Sequence, residues 1–190
     1  MYVLRFLVLS CYVLFVRSIG FEEVAGKGRW LMLNILQCED ADDMEFNFDL
    51  TRRKINRTHD AFSFKVDFDR EINETYGIEI VAYKEVDGGF KLYHQMQDES
   101  FCTFVKKYTG DNWEKFFKMA NIDPPDCPIK PGEVKVVDFI LDYKELEETG
   151  LYGVFDASNY MLDKGRRVGC VRLLTTFEKD DDDDDDDDDS

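Results

Sequence analysis

The amino-acid sequence predicts a mainly β protein: an antiparallel β-sandwich or cup of about 7–8 strands with a short helical insertion, stapled by disulfide bonds. Three observations predict this fold class. Apolar and polar residues alternate with a period of two in several short segments. Turn-forming residues separate these segments at the spacing that is usual for antiparallel sheets. Only one stretch, from residue 98 to residue 120, carries apolar residues at helical spacing.

The amino-terminal half of the chain predicts an antiparallel meander. In residues 44–50 and 62–68, large apolar residues alternate with polar ones, which is typical of half-buried strands. The polar segment 56–60 between them predicts a hairpin turn, and the segment 87–89 (Asp-Gly-Gly) predicts another. The predicted strands of this half are 30–36, 44–50, 62–68, 78–82 and 90–94.

The middle of the chain predicts two short helices. Asp98 or Ser100 is suited to cap the first helix, and Gly110 is expected to end it. Asp111 followed by Glu114 resembles a capping box for the second helix. The apolar residues at helical spacing are Phe101, Phe104, Val105, Tyr108, Trp113, Phe116, Phe117 and Ala120. We expect this helical pair to lie across a rim or edge of the cup.

The carboxy-terminal part predicts the remaining strands. Val137, Phe139 and Leu141 alternate with aspartates, which indicates a strand. Residues 151–160 and 168–177 predict a last hairpin, with its turn at residues 163–165. No internal repeat is apparent.

The first twenty residues predict a secretory signal peptide. Arg5 precedes an apolar stretch, and Ser18 and Gly20 place small residues where signal peptidase requires them. That apolar stretch is too short to span a bilayer, which takes about 20 helical residues, and no later stretch is long enough. We therefore expect residues 1–20 to be removed, no transmembrane segment in the mature chain, and an extracellular (secreted) protein.

Glycosylation sequons and cysteines agree with secretion. Asn56 and Asn73 each begin an N-x-Thr sequon, so both are candidate glycosylation sites. Cys11 leaves with the signal peptide, and an even number of cysteines in an oxidising compartment predicts two disulfides. The four remaining cysteines are Cys38, Cys102, Cys127 and Cys170.

Length and charge divide the mature chain into a domain and a tail. Residues 21–179 suit one domain, and with 44% hydrophobic residues the chain can bury a sizeable core. The run Asp180–Asp189 cannot fold, because adjacent like charges repel and nothing apolar is present to bury. We interpret residues 180–190 as a disordered, solvated tail. A weak calcium buffer is the less favoured alternative, since the run lacks the spaced ligands of a calcium loop.

The charge of the domain makes it a poor binder of nucleic acid, so we expect no nucleic-acid partner. The whole chain carries −17, and without the leader and the tail about −9 remains. The one basic cluster, residues 164–167, reads best as a polar hairpin turn. Binding to phosphate backbones or to anionic membranes requires a broader surface of clustered Lys and Arg than this single turn, and the domain as a whole is acidic.

The residues that most enzyme motifs require are missing. His59 and His94 are the only histidines, and neither stands in a metal-ligand spacing, so we expect no metal site. The sequence has no nucleophile elbow, phosphate loop or dinucleotide fingerprint, and disulfide-bonded cysteines cannot act as nucleophiles. Carboxylate pairs remain open, because 41 acidic residues always offer some. We expect no enzymatic activity and no cofactor.

The order of the cysteines and their flanking residues resembles a known family. Cys38 is followed by the segment 50–58 (LTRRKINRT), by Cys102 within the segment 100–104 (SFCTF), by the segment 126–132 (DCPIKPG) and by Gly169-Cys170. This order resembles the large family of insect secreted proteins that includes the chemosensory protein B group. That family is similar to the ganglioside activator protein and, more loosely, to the ML lipid-recognition domains. The resemblance covers residues 29–177 and leaves out the aspartate tail.

The resemblance implies an open β-cup around an apolar cavity, with a secreted carrier or presenter as its function. The ligand would be a hydrophobic small molecule, such as a lipid or a cuticular-hydrocarbon-like cue in chemosensation. It also implies the pairings Cys102–Cys127 and Cys38–Cys170. Loop-closure entropy gives these bonds roughly 3.5 and 5 kcal/mol as upper figures. The alternative function is a protein-interaction module with a filled core, which would bind a receptor or partner protein through its surface.

The aromatic content fits either a filled core or a cavity lining, because the chain has 16 Phe and 9 Tyr. If there is a cavity, the side chains that strand alternation turns inward are candidates for its walls. A register error of one residue would exchange the two faces of a strand. The candidate ligand-binding residues are Phe46, Phe48, Phe62, Phe64, Ile78, Ile80, Phe139 and Phe155.

Overall fold

A computed structural model describes residues 24–55 and 59–179 of the chain. The predicted signal peptide 1–20, the sequon at Asn56 and the aspartate tail 180–190 lie outside the described residues. Within them the fold class is the one that the sequence predicts, a mainly β protein with antiparallel sheets and two short helices.

Ten strands are present in the described residues, of which two have only three residues each. The eight longer strands agree with the predicted number. The strands are β1 (Ala25–Lys27), β2 (Arg29–Leu36), β3 (Asp49–Lys54), β4 (Asp60–Phe68), β5 (Tyr76–Val86), β6 (Gly89–Asp98), β7 (Gly132–Ile140), β8 (Thr149–Leu151), β9 (Gly153–Asp163) and β10 (Arg166–Glu178).

Hydrogen bonding groups the strands into three antiparallel sheets. The large sheet has the order β2-β10-β9-β5-β6, and the small sheet has the order β3-β4-β7. The short strands β1 and β8 pair with each other. Two of the predicted turns close hairpins of the large sheet, the one at residues 87–88 between β5 and β6 and the one at residues 164–165 between β9 and β10.

The two helices follow β6, where the sequence predicts them. Helix α1 is Phe101–Thr109 and helix α2 is Asp111–Met119. The Ser100 hydroxyl caps α1 by accepting a hydrogen bond from the backbone N–H of Thr103 at 3.1 Å. Gly110, at φ 53°, lies between the helices and lets the chain turn there.

One hydrophobic core joins the small sheet, the helices and one face of the large sheet. Val66 of β4, Val134 of β7, Trp113 of α2 and Met161 of β9 belong to the same buried cluster. A second, smaller cluster contains Cys38, Tyr160, Leu162 and Cys170. Met161 belongs to the first cluster, and its neighbours Tyr160 and Leu162 belong to the second. Because successive side chains on a strand point to opposite faces, the two clusters lie on opposite faces of β9.

Both disulfides are present with the pairing that the resemblance implies. Cys38–Cys170 lies in the second cluster, and its two cysteines are separated by 132 residues. Cys102–Cys127 closes a separation of 25 residues and fixes α1 to the loop before β7.

The strand predicted at residues 44–50 is wrong. A 3-10 turn, Ala41–Asp43, is followed by irregular chain with a single bridge from Phe46 to Gly169, and β3 begins only at Asp49. The backbone N–H of Phe46 donates to the carbonyl of Val168 at 2.7 Å, so the segment docks on β10 without forming a ladder. Burial of its two phenylalanines in the core, rather than strand pairing, accounts for the alternation.

Two local predictions also fail. The capping box at Asp111 is absent, because the N-cap is Gly110, which has no side chain to accept a hydrogen bond; the Glu145 carboxylate instead accepts one from the backbone N–H of Asp111 at 3.4 Å. The alternation predicted for residues 137–141 is interrupted by Asp138, whose positive φ of 55° accompanies a register shift between β4 and β7. Val136 and Phe139 are therefore both buried, whereas Val137 is 55% exposed.

Candidate functional site

A cavity of about 230 Å³ lies between the two helices, the small sheet and one residue of the large sheet. This volume is somewhat below the roughly 300–1,000 Å³ of ordinary small-molecule sites. Most of its wall comes from the helical insertion and the loop after it. The lining residues of this part are Phe101, Val105, Thr109, Asn112, Trp113, Phe116, Phe117, Ile122 and Ile129.

The sheets supply the rest of the wall. Phe48 precedes β3, Phe64 and Phe68 lie on β4, and Met161 lies on β9. The remaining lining residues are Val134, Phe139 and Leu141. None of the side chains that line the cavity within the described residues is ionisable, so its wall carries no formal charge.

Aromatic rings make one side of the cavity continuous. Phe48 stacks on Phe64 with ring centroids 5.8 Å apart, and Phe64 meets Phe116 edge-on at 5.5 Å. Phe116 meets Phe139 edge-on at 5.6 Å. These contacts run from the segment before β3 across β4 to α2 and β7. Edge-on and offset pairs of this kind are the favoured aromatic geometries, so the rings hold one another in place.

Several bonds hold the helices over the small sheet. Cys102 of α1, which is 1% exposed, is bonded to Cys127 in the loop that leads to Ile129. The side chain of Asn112 on α2 pairs with the backbone of Asp142 in both directions, donating at 2.9 Å and accepting at 3.0 Å. The cavity wall is thus tied to the loop before β7 and to the chain after it.

The lining contains three polar side-chain groups, and two of them are paired. The Thr109 hydroxyl donates to the carbonyl of Val105 at 2.8 Å, and the Asn112 amide is occupied by Asp142 as described. The third group is the indole N–H of Trp113. Trp113 is 5% exposed, and its buried Nε1 makes no hydrogen bond within the described residues.

Three of the eight predicted ligand-binding residues, Phe48, Phe64 and Phe139, line the cavity. Phe46 does not line the cavity, but its ring packs edge-on against that of the lining residue Phe68, with centroids 5.0 Å apart. Phe62 is buried and lies opposite Phe139 in the β4–β7 pairing, but it does not line the cavity.

The other three predicted residues, Ile78, Ile80 and Phe155, lie outside the cavity although they belong to the same large sheet as Met161. Ile78 is directly opposite Met161 in the β5–β9 pairing and therefore shares its face. Phe155 precedes Met161 by six residues on β9, about 20 Å along a strand, and packs on Trp30 and Tyr93. The cavity therefore occupies only part of the face that alternation identifies.

The prediction missed the helical residues that line most of the cavity. Their signal was in the sequence, since Phe101, Val105, Trp113, Phe116 and Phe117 recur at helical spacing. The helices, however, were expected at a rim or edge. In the structure they instead pack over the small sheet, with Trp113 and Phe117 buried in the core.

A buried polar network joins the two sheets away from the cavity. Asp60 is 5% exposed and accepts hydrogen bonds from Arg52 and from the Tyr143 hydroxyl, both at 3.1 Å. That hydroxyl accepts from the backbone N–H of Met32 at 3.2 Å, and Arg52 donates to the Leu33 carbonyl of β2. Burial raises the pKa of Tyr143 to about 12. Like any phenol it is neutral at physiological pH, and burial extends the pH range over which it stays neutral in this network.

One group of possible metal ligands occurs in the described residues, formed by Glu74, Cys102 and Cys127. Both cysteines are in the disulfide, so neither offers a thiolate. The second sequon lies nearby, where the Asn73 side-chain oxygen accepts from the backbone N–H and the hydroxyl of Thr75. Asn73 is partly exposed and precedes β5.

No protein-family model matches the chain, and no curated protein is significantly similar to it in sequence. Among the described residues, no helix is long and apolar enough to cross a membrane.

Proposed function

We propose that this protein is a secreted carrier or presenter that holds a hydrophobic small molecule, such as a lipid or part of one, in the cavity beneath α1 and α2. The observation that carries the proposal is a space of about 230 Å³ in whose lining, over residues 24–55 and 59–179, no side chain is ionisable. Each methylene transferred from water into such a space is worth about 0.8 kcal/mol. Useful affinity then needs no charged group, and the proposed function involves no chemical change of the ligand.

Further features support the proposal. Two disulfides favour an oxidising compartment, which agrees with the leader expected at residues 1–20. The resemblance to insect chemosensory protein B and ganglioside-activator-like proteins adds the proposed role in detecting or presenting apolar cues. Under this proposal, glycosylation at Asn73 would occur at a partly exposed position.

The test compares two substitutions on β7. Val134 is 6% exposed and lines the cavity, whereas Val137 is 55% exposed on the same strand. Protein secreted from eukaryotic cells is extracted with solvent and titrated with the fluorescent apolar probe N-phenyl-1-naphthylamine. We expect saturable uptake by the wild type, at least about tenfold weaker uptake by Val134→Phe, and unchanged uptake by Val137→Phe.

Two results would overturn the carrier proposal. One is the absence of saturable uptake by the extracted wild-type protein. The other is uptake that Val134→Phe leaves unchanged, because the probe would then bind elsewhere. Should Val134→Phe fail to fold, Val105→Phe makes the same test from α1, since Val105 also lines the cavity.

A protein-interaction module is the second candidate, and one observation favours it. The hairpin formed by β5 and β6 lies at the edge of the large sheet and exposes several large apolar side chains. They are Tyr83, Val86, Phe90, Leu92 and Tyr93, each at least 40% exposed. The double variant Phe90→Ser/Leu92→Ser discriminates between the candidates. If it abolishes binding of labelled protein to cells while probe uptake is intact, the surface function is favoured.

A further inference from the structure

The outermost strand of the large sheet, β6, has a free edge. It is ten residues long, and nine of these residues are exposed. Within residues 24–55 and 59–179, β5 is the only strand with which β6 pairs. Proteins usually protect such an edge with proline or with several charges, because it can otherwise pair with a strand of another chain. β6 has no proline, and its only charged residues are Lys91 and Asp98.

The other long edge strands are better protected. On β2, the backbone N–H of Met32 donates to the Tyr143 hydroxyl and the carbonyl of Leu33 accepts from Arg52, so the small sheet and the chain after it occupy this edge. Four of the six residues of β3 are charged. β7 carries three charges and is distorted at Asp138, which has a positive φ. The edge of β6 is therefore the one most open to another strand.

The two charges of β6 are not compensated within the described part of the chain. Lys91 lies directly opposite Lys84 in the β5–β6 pairing, and like charges in this position repel each other. The lysines that form ion pairs among the described residues are Lys65, Lys106 and Lys118. The Asp98 carboxylate accepts a hydrogen bond from the backbone N–H of Ser100 at 2.9 Å, but it has no cationic partner there. Lys91 thus lacks an acid, and Asp98 lacks a base.

A bulge places these two charges on the same face of the sheet. Lys91 is opposite Lys84 and Asp98 is opposite Ile78, and these two β5 residues share a face because they are an even number of residues apart. Lys91 and Asp98 are an odd number of residues apart. They share that face only because the register shifts at Tyr93, where β6 has one extra residue.

We propose that the protein forms a symmetric dimer in which β6 pairs in antiparallel fashion with β6 of a second copy. A twofold axis through Gln95 places Lys91 of each copy opposite Asp98 of the other, on the same face, and Met96 opposite the bulge. The two uncompensated charges then form two equivalent ion pairs, as an interface between identical surfaces requires. None of the residues of β6 lines the cavity, so this inference is independent of the carrier function.

Sedimentation velocity of the full-length secreted protein, from micromolar to submillimolar concentration, tests the proposal. We expect a reversible equilibrium between monomer and dimer. Lys91→Glu should weaken the dimer by at least about tenfold, because it replaces two attractive pairs by two pairs of like charge. The matched control is Lys135→Glu, which makes the same change of charge on the edge strand β7, also directly opposite a lysine, Lys65. That control should leave the dimer unchanged.

Two further variants separate loss of pairing from loss of folding. Lys91→Glu removes the repulsion with Lys84, so urea unfolding should show a monomer at least as stable as the wild type. Adding Asp98→Asn to Lys91→Glu should recover part of the lost affinity, because the amide removes the like charge and keeps an acceptor for the N–H of Ser100. Should Lys91→Glu fail to fold, Asp98→Asn alone is expected to weaken the dimer by about threefold.

Hydrogen exchange locates the interface. Peptides that cover β6 should exchange their amide hydrogens more slowly when the wild-type concentration is raised, whereas peptides that cover β7 should be unaffected. Lys91→Glu should remove this dependence on concentration. Equal protection of both strands would contradict pairing through β6.

The possible failures are distinguishable. Wild-type protein that is monomeric at all concentrations overturns the inference, and so does a dimer that Lys91→Glu and Lys135→Glu weaken equally, since net charge alone then explains the effect. If the protein is monomeric and Phe90→Ser/Leu92→Ser abolishes its binding to cells, β6 serves a different partner. In each of these cases the uptake of N-phenyl-1-naphthylamine decides separately whether the carrier function stands.

Discussion

Removing the disulfide Cys38–Cys170 should reduce the stability of the protein more, whereas removing Cys102–Cys127 should reduce its affinity for ligand more. The bond Cys102–Cys127 joins α1 to the loop that leads to Ile129, and residues of both line the cavity. The bond Cys38–Cys170 belongs to the smaller cluster, on the face of β9 opposite Met161. Each bond can be removed by a double alanine substitution, Cys102→Ala/Cys127→Ala or Cys38→Ala/Cys170→Ala.

Loop-closure entropy sets the expected losses of stability. A separation of 25 residues corresponds to about 3.5 kcal/mol of unfolding free energy, and a separation of 132 residues to about 5 kcal/mol. Removing Cys38–Cys170 should therefore destabilise the protein more. Its effect on ligand affinity should nevertheless be within about twofold, provided that the variant is fully folded under the assay conditions.

Removing Cys102–Cys127 should weaken probe binding by about fivefold or more, because α1 is then free to shift relative to the loop and the cavity loses preorganisation. Urea unfolding followed by circular dichroism measures the first quantity, and titration with N-phenyl-1-naphthylamine measures the second. If both variants lose affinity in proportion to their loss of stability, global destabilisation explains the result and the bond has no local role at the cavity. Unchanged affinity in Cys102→Ala/Cys127→Ala would refute the reasoning outright.

Three further substitutions test other parts of the structure. Tyr143 loses its proton above about pH 10 in the unfolded chain but only near pH 12 in the folded protein. The unfolding free energy should therefore fall by about 2 kcal/mol between these two pH values. Tyr143→Phe should remove this fall. Arg172 binds Asp156 in bidentate fashion at 2.8 and 2.7 Å, and because Asp156 is 8% exposed, Arg172→Ala should cost about 3 kcal/mol in urea unfolding. A Cβ on Gly169 would lie 2.3 Å from the Phe48 ring, so Gly169→Ala should cost about 1–3 kcal/mol and weaken probe binding.

Each of these substitutions has a control. The alkaline experiment compares wild type and variant at each pH, which cancels the titration of other groups that both proteins share. For the ion pair, Arg53→Ala removes an exposed arginine–aspartate pair and should cost less than about 1 kcal/mol; equal losses would contradict the role of burial. For the glycine, adding Phe48→Leu to Gly169→Ala should recover part of the lost stability, and a further loss would argue against a steric clash.

Local signals allowed most of the elements to be predicted from the sequence. Ser100 caps α1 and Gly110 ends it, as expected, since a cap and a positive φ depend on residues next to one another in the chain. The strand predicted at residues 44–50 is wrong because the pattern that predicted it reports burial and not strand pairing. Phe46 and Phe48 alternate with polar residues because both pack in the core, and period-two burial does not require a ladder partner.

The position of the cavity could be predicted only in part. Alternation identified Phe48, Phe64 and Phe139, because the inward face of a strand is a local property of the chain. It could not decide which part of that face is empty, since this depends on where the helices dock. Docking is determined by contacts distant in sequence, such as the pairing of Asn112 with Asp142.

Whether the cavity has been retained for binding or is only imperfect packing can be tested through its energetic cost. At about 24 cal/mol per Å³, an enclosed empty space of about 230 Å³ would reduce the stability by about 5.5 kcal/mol, which is an upper figure here because the cavity is open on one side. Partial filling by Val134→Phe should return about 1 kcal/mol in urea unfolding of extracted protein, while Val137→Phe should have little effect. A saturating ligand should stabilise the wild type by about 2.7 kcal/mol at 100 times its dissociation constant, and the filled variant much less.

If Val134→Phe is more stable than the wild type without ligand but gains less stability from ligand, the cavity is both under-packed and the place where the ligand binds. If Val134→Phe is instead less stable than the wild type without ligand, and ligand still stabilises it as strongly as it does the wild type, the ligand binds elsewhere.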